Sequence, residues 1–219
     1  MDEAHARYKF VVWDLPIRLF HWALVLLLVT SYVTAKLDEL ELHMLSGYAV
    51  LALLLFRLAW GLVGSDTARF SHFMRGPRAV FFYLRGGWVV QPGHNPAGGW
   101  SVAAMLILLC AQVGTGLFAN DDIITQGPLA QFVEHDTSRT LTGLHHVIVN
   151  FLLAFVALHV GAIGYYRFAR HQDLMTPMVR GWAIATDAAK PPRVRSLWLA
   201  GLLFVAAASV AWAVARLEG

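Results

Sequence analysis

Charge is scarce in this chain of 219 residues: Asp, Glu, Lys and Arg make up 14%, where a soluble domain carries about a quarter. The deficit falls in long uncharged stretches, which excludes an ordinary soluble domain. Cysteine is almost missing too. The single Cys110 lies inside an apolar run, so neither an intrachain disulfide nor a thiolate zinc site can form. No Cys-x-x-Cys-His occurs, which excludes covalent c-type haem attachment. The apolar stretches lack the paired Asp or Glu residues found in many proton relays. Internal repeats and low-complexity tracts are absent.

What the chain has is apolar length. Hydrophobic residues make up 58%, and the mean hydropathy is +0.55. A bilayer core needs about 20 mostly apolar residues per helix. Five stretches qualify: 17–35, 43–63, 98–119, 141–166 and 197–214. They predict an all-α, polytopic transmembrane bundle. Val33-Thr34-Ala35 is similar to a signal-peptide cleavage site, but His21 and Trp22 are unusual in a signal's apolar region. In the loop 64–97, Gly76-Pro77 and Pro92-Gly93 break structure. Residues 78–85 between them predict a short interfacial helix with aromatic anchors. Asn95-Pro96 is a helix start, with Asn as the cap and Pro in the first turn.

The basic residues set an expected orientation. With the N-terminus in the cytoplasm, the inner segments hold Arg7, Lys9, Arg18, Arg69, Arg75, Arg78, Arg85, Arg167, Arg170, Arg180, Lys190, Arg193 and Arg195. The outer segments hold Lys36, Arg139 and Arg216 and are otherwise acidic: Asp38, Glu39, Glu41, Asp121, Asp122, Glu134 and Asp136. This asymmetry places the C-terminus in the periplasm. It also accounts for the pI of about 9.2 without nucleic acid as a partner.

Ten histidines are the outstanding feature of so uncharged a chain. His145 and His159 lie 14 positions apart on the fourth span. That spacing is about 40° short of four full turns, so they share a face, separated by a rise of about 21 Å. His21 lies near the inner start of the first span and His43 at the outer start of the second. Depth then pairs His21 with His159 and His43 with His145. Two imidazole pairs at two depths are what two six-coordinate haems require, and a neutral imidazole adds no fixed charge to the membrane. A lone membrane histidine is more often a hydrogen-bonding residue; four that pair by depth favour ligation. His146 points about 100° away from His145. His5, His94, His135 and His171 fall in loops or tails and read as non-functional, and His72 as solvated surface. Arg18 and Arg57 stand at the inner level, where they either pair with haem propionates or snorkel to headgroups. Gly47, Gly143 and Gly161, near the histidines, leave room either for a flat cofactor or for helix packing.

Several motifs resemble the bacterial cytochrome b561 family, which includes the cytochrome b subunits of nickel-iron hydrogenases. They are Arg18-Leu19-Phe20-His21-Trp22, His43-Met44-Leu45-Ser46-Gly47-Tyr48, Phe56-Arg57-Leu58-Ala59-Trp60-Gly61, Gly93-His94-Asn95-Pro96 and Ala157-Leu158-His159-Val160. The resemblance covers roughly residues 10–170. It implies a four-helix core over 1–170 that holds two haem b groups by bis-histidine ligation. His21, His43, His145 and His159 are the matching residues, although His146 stands where such proteins often carry an acidic residue. Residues 171–219 are then a cytoplasmic connector and a fifth helix. The implied function is electron transfer between quinone and a periplasmic redox protein, a c-type cytochrome or a hydrogenase, from the bacterial inner membrane. Membrane lipid and quinone are the expected small partners, and a homo-oligomer is compatible. Whether the chain is itself an enzyme stays open. The competing functions are a stand-alone superoxide-oxidising cytochrome, a transporter that uses its histidines for protons or metal, and a membrane anchor for an enzyme.

Overall fold

The computed structural model describes residues 8–86, 93–123, 125–185 and 191–217. His5, Arg7, Pro92 and Lys190 lie outside the described residues. Strand β1 (Tyr8–Val11) leads into helix α1 (Leu15–Lys36). Asp14 caps α1, its carboxylate accepting the Ile17 N–H at 2.8 Å, with a proline in the first turn. Helix α2 (Leu40–Val63) returns. A 3-10 turn (Asp66–Ala68), the single turn α3 (Phe70–Phe73) and the short helix α4 (Pro77–Leu84) follow. Helix α5 (Pro96–Gly116) starts at Asn95, whose Oδ1 accepts the Gly98 N–H at 2.7 Å. A second 3-10 turn (Ala130–Phe132) precedes α6 (His135–Phe168). Helix α7 (Met175–Arg180), strand β2 (Trp182–Ala185) and α8 (Leu197–Ala215) complete the chain.

Five of these helices are long and apolar enough to cross a membrane: α1, α2, α5, α6 and α8. They coincide with the five expected spans, and α4 with the expected interfacial helix. Three boundaries differ by three residues or more: helix α2 starts at Leu40, before residue 43. Helix α5 ends at Gly116, before residue 119. Helix α6 starts six residues before the expected 141, at His135, because its first turns are polar and hydropathy does not mark them. At 34 residues it is about 51 Å long, well beyond the apolar thickness of a bilayer.

The core is organised around α2, which packs against α1, α8 and α5; α6 packs against α5. Val50, Leu53, Leu54, Phe56 and Trp60 of α2 are buried, together with Phe20 of α1 and Leu106 and Leu109 of α5. Ala200 and Ala207 are the buried face of α8, small enough for close helix approach. Leu19, Leu26, Leu62, Ile107, Leu158 and Trp198 face outward. Such a surface suits lipid, where backbone groups are satisfied within each helix.

The end of the bundle nearest the N-terminus is tied by backbone. Strands β1 and β2 pair antiparallel, Tyr8 opposite Ala185 and Val11 opposite Trp182. The Gly181 carbonyl accepts from Val12 at 2.8 Å and Trp13 at 3.1 Å. Gly181 has φ +85°, and a Cβ there would lie 3.0 Å from the Arg18 side chain, so the turn needs glycine. The segment before α8 is held by Asp66 and Ser65, which accept the Arg193 and Arg195 N–H groups at 2.9 and 3.0 Å. At the opposite end, Ser138 donates to the Phe118 carbonyl at 2.7 Å, closing the loop before α6.

Candidate functional site

Helices α1 and α6 bring His21 and His159 together near the N-terminal end, with ring centroids 6.4 Å apart and planes at 54°. Helices α2 and α6 bring His43 and His145 together near the opposite end, at 6.0 Å and 89°. Two metal–nitrogen bonds of about 2 Å, with about 1 Å from each nitrogen to its ring centre, require roughly 6 Å between centroids. Both pairs meet that spacing, and two neutral imidazoles are a suitable donor set for haem iron. The residues present therefore fit the group at both ends.

At the second pair the backbone fixes the rings. A carbonyl can only accept, so Nδ1 of His43 donates to the Ser31 carbonyl at 2.8 Å and Nδ1 of His145 to the Gln112 carbonyl at 2.9 Å. Each bond leaves Nε2 as the lone-pair nitrogen and makes it more basic. The Gln112 amide donates to Nε2 of His145 at 3.0 Å, so it competes for the nitrogen a metal would take. His146 is exposed, its ring 6.2 Å from that of His145, and the structure places His145 rather than His146 against His43. The first pair differs: Nδ1 of His21 is buried without a hydrogen-bond partner, and Trp22 meets the ring edge-on at 5.0 Å.

Arg57 is 3% exposed. Its guanidinium lies 5.0 Å from the Phe70 ring centre and 6.0 Å from that of Phe73, and one terminal nitrogen has no partner. The nearby Asp14 carboxylate is committed elsewhere, to the Ile17 N–H and to Nε1 of the fully buried Trp60 at 2.9 Å. Arg18 donates to the Val179 carbonyl at 2.7 Å, and its Nε is buried without a partner. A Cβ added at Gly47, Gly143 or Gly161 meets no atom within 4 Å, so close helix packing does not require these glycines. Gly116 is different: a Cβ there would press on His145.

Sequence reasoning set His94 aside as a loop residue, and the structure brings it to the first pair. Its ring lies between Trp13 at 4.6 Å and Phe73 at 4.8 Å, with Nδ1 buried and unpartnered. Burial pushes its pKa down to about 3, with Arg57 and His159 acting in the same direction. The neutral ring thus stands among positive or neutral neighbours. Its place between Gly93 and the capping Asn95, within one of the quoted motifs, was the available signal. Asn95 also donates to the Tyr83 hydroxyl at 2.8 Å, and Tyr83 is hydrogen-bonded to Tyr166. This cluster ties α4, the start of α5 and the end of α6. Of the other histidines, His72 is half-buried on α3, His135 opens α6 at 3.4 Å from Asp122, and His171 is exposed with φ +53°.

The family model for prokaryotic cytochrome b561 matches residues 12–181. That range takes in α1, α2, α5 and α6 with all four paired histidines, and leaves α8 outside. No curated protein and no solved structure matches the chain.

Proposed function

The chain belongs to the prokaryotic cytochrome b561 family and is a multi-pass b-type membrane cytochrome of electron transfer; from that premise we propose that it holds two haem b groups and passes electrons between quinone and a periplasmic redox protein. His21 and His159 would hold the inner haem and His43 and His145 the outer, within residues 1–170. The N-terminus is then cytoplasmic and the C-terminus, after the connector and α8, periplasmic. Bound haem supplies the one-electron chemistry.

The protein's own residues do the rest. The four imidazoles orient the cofactor and add no fixed charge. The Ser31 and Gln112 carbonyls hold two of them in one tautomer. Arg57, and Arg18 beside it in level, supply positive charge for inner propionates. The apolar helices exclude water. The acidic outer segments attract a basic face on a soluble partner. The two levels are about 21 Å apart, and moving one electron across that part of a roughly 30 Å core costs about 1.5 kcal/mol per 100 mV of membrane potential. Modest differences in haem potential offset that.

The observation that carries the reading is the meeting of imidazoles from separate helices at two levels along α6, each pair at ligand spacing. An optical spectrum of the purified protein with haem quantitation tests it. Two low-spin, dithionite-reducible b haems are expected. His21→Ala and His159→Ala should each remove the inner haem, and His43→Ala and His145→Ala the outer. If all four variants keep both haems, the ligand assignment is wrong. Reduction by the partner should slow as salt rises, and a salt-independent rate would count against electrostatic docking.

A further inference from the structure

We infer that His94 and Arg57 form a carboxylate-binding pair that receives a propionate of the haem held by His21 and His159, with Nδ1–H of His94 as one donor. The inference rests on the inner-haem reading above and adds a residue to it. Arg57 and His94 each carry a buried nitrogen without a partner. Phe73 is their shared neighbour, its ring centre 6.0 Å from the guanidinium carbon and 4.8 Å from the imidazole centre. The Asp14 carboxylate, close enough to act on Arg57 electrostatically, accepts from Ile17 and Trp60 on its two oxygens. Around this pocket stand Arg57, His94 and His159, with Asp14 the carboxylate that acts on Arg57. A guanidinium and an imidazole N–H together match the two oxygens of one carboxylate.

The position of His94 is set by its aromatic neighbours and by the turn that carries it. Trp13 and Phe73 hold the ring between them. Gly93 has φ +99°, a conformation that favours glycine, and Asn95 caps α5 through the Gly98 N–H. Such a ring is a directed donor rather than a mobile surface group. It is not needed as an axial ligand, because His21 and His159 already face each other at ligand spacing. A hydrogen bond to a propionate spreads its negative charge and so favours ferrous haem.

The test uses the full chain, loaded with haem b or with haem dimethyl ester, whose propionates carry no charge. His94→Phe keeps the aromatic packing and removes the donor. With haem b it should retain two low-spin haems and shift the inner haem toward the ferric form by about fivefold, roughly 40 mV at 59 mV per decade. His94→Gln, which keeps an N–H donor, should recover at least half of that shift. With the dimethyl ester, wild type and His94→Phe should titrate together. If His94→Phe does not assemble, His94→Leu carries the same comparison. An unchanged potential with haem b overturns the inference, as does a shift that persists with the ester, which would mark a separate anion. Loss of the low-spin spectrum in the variants would instead make His94 an axial ligand. The premise fails separately: His21→Ala and His159→Ala would then leave both haems in place.

Discussion

Replacing Gly116 by alanine should damage the haem site proposed at His43 and His145 and leave the one proposed at His21 and His159 intact. A Cβ built there lies 2.9 Å from Cε1 and 3.1 Å from Nδ1 of His145, and 3.8 Å from Nε2. Carbon contacts are comfortable at about 3.5–4.0 Å, so the ring must move by roughly 0.5 Å or more. It is not free to do so, since Nδ1 donates to the Gln112 carbonyl at 2.9 Å, one turn earlier on the same helix. Moving the ring stretches that bond beyond its useful range of about 3.2 Å. Losing such an outer-shell partner typically costs about 10–100-fold in metal affinity, which is about 1.4–2.8 kcal/mol. The helix itself accepts alanine, because Gly116 has no left-handed φ and alanine is the better helix former. The assay is haem loss to apomyoglobin, followed by absorbance. On the proposed two-haem reading, wild type should release both haems slowly, and Gly116→Ala should release one of them about 10–100 times faster. Equal loss of both haems, or retention of both within about twofold of wild type, would refute the reasoning from ring displacement.

Three further outcomes are expected. The His43–His145 haem should titrate at a lower potential than the His21–His159 haem, because its imidazoles donate to backbone carbonyls while buried Arg57 favours ferrous iron at the other level; a redox titration giving the reverse order would reject this. Asp14→Ala removes the α1 cap, worth about 1 kcal/mol, and leaves the buried Trp60 N–H unpaired, worth about 1–3 kcal/mol, so unfolding in denaturing detergent should show a loss of about 2–4 kcal/mol. The Asp66 carboxyl is held below its ordinary value mainly by the Arg193 N–H and further by Arg69. Its anchoring of the α8 connector is therefore present above the unfolded value near 3.9 and lost as pH falls through the lower folded value. Hydrogen exchange at Arg193 and Arg195 should rise in that acid range, and Asp66→Asn should show the fast exchange already at neutral pH.

The spans and the histidine pairs were legible because the membrane turns sequence spacing into depth. A helix of known rise must cross a slab of known thickness, so His145 and His159 on one helix have fixed levels, and the alternation of spans assigns levels to His21 and His43. Nothing comparable announces the features that lie outside the slab. Strand β1 pairs with β2 from the far end of the chain, and two strands of four residues each carry too little pattern to be found. His94 comes near the His21–His159 pair through tertiary contacts with Trp13 and Phe73, which no local periodicity encodes. The Ser31 and Gln112 carbonyls are backbone acceptors, and every residue has one. The start of α6 escaped for a related reason: its first turns are polar and project past the apolar stretch, where hydropathy gives no signal.

The same geometry explains why α6 carries two of the four imidazoles. By its backbone this helix packs against α5, and it is the least buried of the five long helices. It approaches α1 and α2 through the rings of His159 and His145, at two levels along its length. Direct side-chain interlock between α6 and its facing helices would bring their backbones too near for a macrocycle. A helix that leaned on no partner would let the ring spacing drift. Helix α5 resolves the conflict. It supplies the packing surface for α6 and, through the Gln112 carbonyl and the bare Cα of Gly116, sets the orientation of His145 from the side. The spacing of the His43–His145 pair thus depends on a helix that carries neither ring, and a substitution at Gly116 of α5 is felt at the His145 imidazole of α6.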